Sequence, residues 1–398
     1  MDARVAEALI SPSGQKLIGL AEEFEGNALA RGDMIRAQQP DAEIAAAVSL
    51  QVELRRAAQA KLGDFANRML FTRSGLEQAT ALAVAAEHAD RFRAAGISSV
   101  ADLTAGLGVD SMAYAGLGLT TVSVEHDHAT ALLAEHNLSI FPHAHVVHGD
   151  AIEVGKGIDI SGVYADPARR NTHARVTQPE HYLPSLSSLL GLRDSHEALG
   201  IKLAPGIPKK HLPSEAEHQW LSLDGEVKEC AVWCGPLAHA YTRSALVLRT
   251  NGKKTEVRDQ GSIAEVGALG DFLYEPDNAV IRAGLVAEVA QDVKGHLIHP
   301  TIAYVTSDTE MHVPSATMYR IRDVLPATTS TLRSYVRSHN IGTLTIKKRG
   351  MDISPEHLRK EISPRGDNAA TIILTRAGNS RKAIVADRLY EDSSSVRE

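Results

Sequence analysis

Cysteine is almost absent: the 398 residues hold two, Cys230 and Cys234, both inside the apolar run "ECAVWCG". That excludes a disulfide scaffold and a four-cysteine zinc site, and it suits a reducing compartment. Alternation along a strand would turn both thiols to one face, where they serve as packing atoms. No apolar run approaches the roughly 18 residues of a membrane helix, and the first residues lack a basic-then-apolar leader. A soluble, cytoplasmic protein is expected. Eighteen histidines gather most densely in "EHDHATALLAEH" and "FPHAHVVH", yet no His-Glu-x-x-His or comparable ligand set appears, so no metal is expected. Internal repeats are missing as well.

The net charge of −7 excludes a protein that is basic throughout. From Asp308 onward, however, 15 Lys and Arg face 11 Asp and Glu, a local balance of +4, which leaves −11 for the rest. A mildly basic tail on an acidic body points weakly to an anionic partner.

Residues 1 to 75 read as helices, above all the Ala- and Leu-rich "DAEIAAAVSLQVELRRAAQAKL", which contains no Pro or Gly. From 76 the pattern changes. Helical "LEQATALAVAAEHADRFRAAG" leads into strand-like "SVADLTAG", then "TTVSVEHD", "AHVVHGD", "GVYADP" and "HEALGIKLAP" follow with helix-compatible segments between them. Short β-rich runs alternating with helices indicate an α/β domain built on a mostly parallel sheet. "KECAVWCGP" and "RSALVLRT" read as a closing antiparallel pair, and "PDNAVIRAGLVAEVAQDV" as one helix. A small α/β unit begins near 311, with helices at "TSTLRSYVRSHNI" and "SPEHLRKEI" and strands at "TLTIKKRG" and "AATIILTR".

Four acids stand at the ends of four successive strand-like runs: Asp102, Glu125, Asp150 and Asp166, at spacings of 23, 25 and 16 residues. A doubly wound sheet collects such positions on the edge where ligands bind. Gly106 and Gly108 permit a tight turn whose backbone N–H groups can approach a ligand. Ser111 occupies the third glycine position of a dinucleotide fingerprint. Asp102, four residues before the first glycine, would repel a pyrophosphate but would pair with an ammonium. The ligand is therefore expected to be a nucleoside with an amino-acid tail. Glu125 is placed for both ribose hydroxyls, and Asp150 with the Ala151 N–H for the adenine edge.

In this order and spacing, "VADLTAGLGVD", "VSVEHD", "VVHGDA" and "VYADPARR" resemble the class I S-adenosylmethionine-dependent methyltransferases. "FTRSGLEQAT", "YEPDNAVIRAGL" and "TLTIKKRGMDISPEHLRKEI" extend the resemblance to bacterial methyltransferases with a C-terminal THUMP-like domain. The resemblance implies a Rossmann-like domain with a mostly parallel seven-stranded sheet over 76–255. A helical region at 1–75 precedes it; a connecting region at 256–310 and a THUMP-like α/β domain at 311–392 follow. It implies S-adenosyl-L-methionine held by Asp102, Thr104, Gly106, Gly108, Glu125, His126, Asp150 and Ala151.

Amino-methyltransferases of nucleic acids carry Asp/Asn-Pro-Pro-aromatic where this chain has "DPAR". The resemblance thus makes Asp166 and Pro167 the residues that orient the acceptor. Ala168 and Arg169 depart from that pattern, so stacking must come from an arginine plane or elsewhere, or the acceptor is not a flipped base. Arg169, Arg170 and Lys202 are the substrate-binding candidates near the site, and Lys347, Lys348 and Arg349 those of the tail domain. The expected partner is RNA, either tRNA or rRNA. A non-catalytic RNA-binding protein on the same fold and a nicotinamide-dependent oxidoreductase are the alternatives.

Overall fold

The computed structural model describes residues 1–169, 178–378 and 380–389. The chain divides into two compact units, one comprising Met1–Glu217 with Cys230–His239, the other His218–Glu229 with Ala240 onward.

The first unit opens with helices α1 (Ala3–Ile10), α2 (Pro12–Glu23), α3 (Ala28–Gln38) and α4 (Ala42–Leu62), followed by α5 (Arg73–Gln78) and α6 (Leu82–Ala94). The long α4 starts where Asp41 Oδ1 accepts from the Glu43 and Ile44 N–H groups, and it stops at Gly63, whose φ is 54°. Residues Leu70 and Phe71 then run through the core without a sheet partner. Gln51 on α4 accepts from Phe71 N and donates to Phe71 O, at 2.9 and 2.8 Å.

Strands and helices then alternate: β1 (Ser99–Asp102), α7 (Val109–Gly116), β2 (Thr120–Glu125), α8 (His128–Leu138), β3 (Ala144–His148), α9 (Ala151–Gly157), β4 (Gly162–Ala165), α10 (Leu186–Leu190) and β5 (Ala198–Leu203). Asn137 on α8 does for Leu70 what Gln51 does for Phe71. It accepts from Leu70 N at 2.7 Å and donates to the Leu70 and Leu107 carbonyls at 3.1 and 3.0 Å. Next come β6 (Glu217–Leu223) and β7 (Glu226–Cys234), joined at Asp224-Gly225 with φ of 49° and 83°. Asp-Gly with positive φ at both residues is the preferred two-residue hairpin turn.

Within the first unit the strand order is β3-β2-β1-β4-β5-β7. All pairings are parallel until Cys230–Cys234 of β7 runs antiparallel to Leu199–Leu203 of β5. The inner strands lack in-out alternation because both faces are covered: β4 is buried along its whole length. One aromatic cluster fills this core, with Phe92, Tyr114, Tyr164 and Trp233 in mutual edge or stacked contact.

In the second unit β8 (Arg243–Leu248) lies parallel to β6 and antiparallel to β9 (Lys254–Arg258). The antiparallel pair expected between "KECAVWCGP" and "RSALVLRT" therefore does not form. The Asp-Gly turn commits β7 to β6, whose "EHQWLSL" sequence mixes polar and apolar residues without a clean strand signature. Then follow β10 (Phe272–Pro276), α11 (Asn278–Ala283), α12 (Val286–Asp292), β11 (His296–Leu297), β12 (Val305–Ser307), β13 (Ala316–Pro326), α13 (Thr329–Ser338), β14 (Ile341–Lys348), α14 (Pro355–Ile362), β15 (Asn368–Ala377) and β16 (Ser380–Leu389). The single helix expected over 276–293 is broken into α11 and α12 at Gly284, whose φ is 77°.

The later strands form a seven-stranded sheet of order β11-β12-β10-β13-β16-β15-β14, in which only β14 and β15 are parallel. Helices α13 and α14 pack with Ile372, Leu374, Ala383 and Val385. The alternate residues Ile373 and Ile384 face the other way, onto Tyr304 and Tyr319.

Gly200 sits mid-strand in β5, where an added Cβ would lie 2.6 Å from the Trp233 ring and 3.0 Å from Tyr164. Gly200→Ala is expected to destabilise the protein by about 1–3 kcal/mol. An unchanged urea midpoint would show that the aromatic cluster can move aside.

Candidate active site

The loop leaving β1 is shaped by two glycines. Gly106 and Gly108 have φ of 55° and 83°, where a side chain would be strained. An added Cβ on Gly106 would meet open space, whereas on Gly108 it would lie 3.1 Å from Leu138. The loop backbone is thus accessible on one side and packed on the other. Gly108 is also the N-cap of α7.

Neighbouring loops are tied to this one. The Gly106 N–H donates to Glu125 Oε2 at 2.9 Å, and the Asp127 N–H donates to Glu125 Oε1 at 2.8 Å. Each carboxylate oxygen keeps a second lone pair for a ligand. The Asp166 N–H donates to Thr104 Oγ1 at 2.6 Å, which links the ends of β1 and β4. Asp150 Oδ1 accepts from the Ile152 and Glu153 N–H groups and caps α9, so this acid also has a structural task. Ala151 is the buried first residue of α9, and His126 is exposed. The His126 carbonyl lies 3.0 Å from His148 Nε2.

Behind the loop edge lie carboxylates with little access to water. Asp102 is 2% exposed and accepts from Ser111 Oγ at 2.8 Å, while its other oxygen lies 3.4 Å from Thr104 N. Burial, joined by the charges of Asp110 and Asp166, pushes its carboxyl up to about 7. Burial acts on Asp110 in the same direction, but hydrogen bonds from His88 and Thr80 and the charges of His88 and Lys202 outweigh it. Asp110 is held below the usual carboxylate range. Its Oδ1 lies 2.7 Å from His88 Nδ1, and its Oδ2 accepts from Thr80 Oγ1 at 2.7 Å. The Tyr164 hydroxyl is 3.1 Å from the same His88 nitrogen. Lys202 Nζ donates to Thr80 Oγ1 at 2.8 Å and to Asp166 Oδ2 at 2.6 Å.

The expected site residues therefore divide. Asp102, Thr104, Asp166 and Lys202 follow one another through direct contacts, Glu125 is bonded to Gly106, and Gly108 belongs to the same loop. Pro167 is buried, Ala168 exchanges two backbone hydrogen bonds with Leu183, and Arg169 is half-buried. Arg170 lies outside the described residues. Lys347 and Arg349 belong to the second unit and sit on Glu275, at 2.5 and 3.6 Å, over the rings of Tyr319 and Tyr304. Only Lys348, on the opposite face of β14, is exposed. Sequence reasoning missed Thr80, His88, Asp110 and Glu275. One signal was available: Asp110 and Ser111 are the polar residues of an otherwise apolar helix, "VDSMAYAG".

Residues 316–388 match a family model described as THUMP domain-like. Two uncharacterised S-adenosylmethionine-dependent methyltransferases of Mycobacterium tuberculosis, from strains CDC 1551 and H37Rv, are each 29% identical over 334 residues. The match covers 82% of this chain and 91% of theirs. A crystal structure from Porphyromonas gingivalis W83, assigned as a methyltransferase, superposes with a TM-score of 0.77 at 21% identity, over 98% of this chain and all of that one. In sequence and in fold the chain is thus similar to S-adenosylmethionine-dependent methyltransferases, with a THUMP-like match at 316–388. The Rossmann-like fold and the C-terminal sheet domain expected from the sequence are both present. No described helix is long and apolar enough to cross a membrane.

Asp102 gives the protein a testable pH signature. Its native carboxyl keeps a proton up to about pH 7, whereas an unfolded aspartate loses it near pH 4. The native state thus holds the extra proton across that window, and stability falls as pH rises through it. Relative to Asp102→Asn, the wild type should lose stability between about pH 5 and 7 in urea titrations. Parallel curves would rule out a raised carboxyl.

Proposed function

We propose that this methyltransferase acts on RNA, methylating a tRNA or rRNA base in the cytoplasm, with Asp166 orienting the acceptor. The observation that carries the reading is the tie from Asp166 through Thr104 to the loop of Gly106 and Gly108, which joins an acceptor group to a ligand-binding turn. The THUMP-like match and the basic balance of the tail supply the argument for RNA. When bound, S-adenosylmethionine supplies a methyl group on a positively charged sulfur.

The residues suit that cofactor. The open side of Gly106 leaves its backbone accessible, Asp102 offers a carboxyl that an arriving ammonium would help to ionise, and Glu125 offers preoriented lone pairs for ribose hydroxyls. Asp150 uses Oδ1 on α9, which leaves Oδ2 for the exocyclic amine of adenine.

For the transfer itself, the chain's part is alignment and electrostatics, which supply most of the rate in an in-line displacement. The Asp166 carboxylate accepts a hydrogen bond from the acceptor and turns its lone pair toward the methyl group. Pro167, buried beside it, restricts the loop. Arg169 and Arg170 suit a phosphate or the face of a base. In the tail domain, Lys348 is the member of the basic triplet most exposed for phosphate contact, while Lys347 and Arg349 share the single carboxylate of Glu275.

RNA and protein from a strain lacking the gene, incubated separately with purified enzyme and methyl-labelled S-adenosylmethionine, provide the test. Label should enter RNA, and it should be lost with Asp166→Ala. Label confined to protein or small molecules would defeat the RNA reading. Glu125→Ala should weaken S-adenosylhomocysteine binding by at least about tenfold, the equivalent of one charge-assisted hydrogen bond. Unchanged affinity in calorimetry would remove Glu125 from the cofactor site.

A further inference from the structure

Resting on the reading of Asp166 as the acceptor-orienting group, we propose that Lys202 is the positioning residue that holds the Asp166 carboxylate for methyl transfer. A buried chain through Thr80, Asp110 and His88 locks Lys202 in that posture.

The direction of each bond follows from a proton count. A threonine hydroxyl has one proton, and Thr80 gives it to Asp110 at 2.7 Å. Toward Lys202 it can then only accept, so an ammonium N–H must point to it, as the 2.8 Å contact requires. A second ammonium N–H points to Asp166 Oδ2 at 2.6 Å. At the far end, Asp110 Oδ1 is held by His88 at 2.7 Å. No link in this sequence can reverse without breaking its neighbour.

Burial is graded along the chain. Side-chain exposure is 1% for His88, 10% for Asp110, 11% for Lys202 and 25% for Asp166. An ion pair that served packing alone would be closed at both ends. Here the inner end is closed, while the outer end, Asp166, keeps a quarter of its side chain exposed. The anchors also come from separate parts of the scaffold: Thr80 from the connection between α5 and α6, His88 from α6, Asp110 from α7 and Lys202 from β5. The carboxylate is therefore aimed from behind by the scaffold, while Thr104 holds its backbone N–H from the front. The charge of Lys202 also acts on Asp110, where it helps to hold the carboxyl below its usual range.

The test uses the labelling assay above with Lys202→Met, Thr80→Val and their double variant. A misaimed carboxylate costs alignment, so Lys202→Met should lower kcat by about 100-fold. S-adenosylhomocysteine affinity and the KM for S-adenosylmethionine should stay within about threefold. Thr80→Val should give a smaller loss, and the double variant should be no worse than Lys202→Met, because both break one chain. Lys202→Cys treated with 2-bromoethylamine should recover activity, since aminoethylation rebuilds an ammonium at nearly the same reach. Cys230 and Cys234 are fully buried and should not compete for the reagent.

Wild-type kcat in Lys202→Met would overturn the proposal. So would a loss that falls equally on cofactor affinity and resists aminoethylation, which is the mark of a structural role. If the wild type labels protein instead of RNA, the RNA reading falls and the same variants are scored on that acceptor. If it labels nothing, a double-mutant cycle of Lys202→Met and Thr80→Val in urea unfolding decides. Coupling of at least tenfold in the unfolding constant supports the chain, and none overturns it.

Discussion

Two buried carboxylates, Asp102 and Asp110, and a partly exposed third, Asp166, stand at one edge of a parallel sheet, and the surrounding architecture follows from keeping them there. A buried charge persists only when it is paired and hydrogen-bonded. The three acids are treated differently. Asp110 receives His88 and Thr80, Asp166 receives Lys202, and Asp102 receives a serine and a distant backbone N–H. The first two are stabilised as anions, and the third keeps its proton to about pH 7. An acid poised in this way suits a pocket whose ligand brings positive charge, because the charge it needs arrives with the cofactor.

Much of this edge was legible in the sequence, since strand ends and glycine turns are local signals. Asp102, Glu125, Asp150 and Asp166 lie at strand ends spaced by one β-α or β-loop step, and Gly106 and Gly108 do adopt positive φ. Lys202 and Asp166 are 36 residues apart, and their contact follows from adjacent parallel strands. Thr80 and His88 left no such trace. They lie before the first strand, Thr80 just ahead of α6 and His88 on it, and only the packing of α6 against α7 brings them to Asp110. The hairpin of β6 and β7 was readable from Asp224-Gly225 but was obscured by the mixed polarity of "EHQWLSL". Gly284 was likewise a visible break in what was read as one helix.

The basic triplet of β14 shows how period-two geometry redistributes charge. "KKR" looks like a single cationic patch in one dimension. On a strand it separates, with Lys347 and Arg349 facing Glu275 and two tyrosine rings, and Lys348 facing solvent. Burial and the charge of Glu275 raise the Tyr319 hydroxyl above its ordinary value. The local charge that a polyanion would meet is therefore smaller than the residue count implies.

Gln51 and Asn137 give the first unit its seam. Their amide groups serve as sheet partners for a two-residue length of backbone, so Leu70 and Phe71 obtain from side chains what a neighbouring strand would normally provide. Cutting the chain just before the first β-α unit, where the repeating pattern begins, would strand Asn137 in the core with two fewer bonds and strip the apolar cover from α7 and α8. The helical segment is thus not a detachable accessory. A minimal catalytic fragment has to include it, and any lineage that shed these helices would have had to rebuild the interior around α8 first.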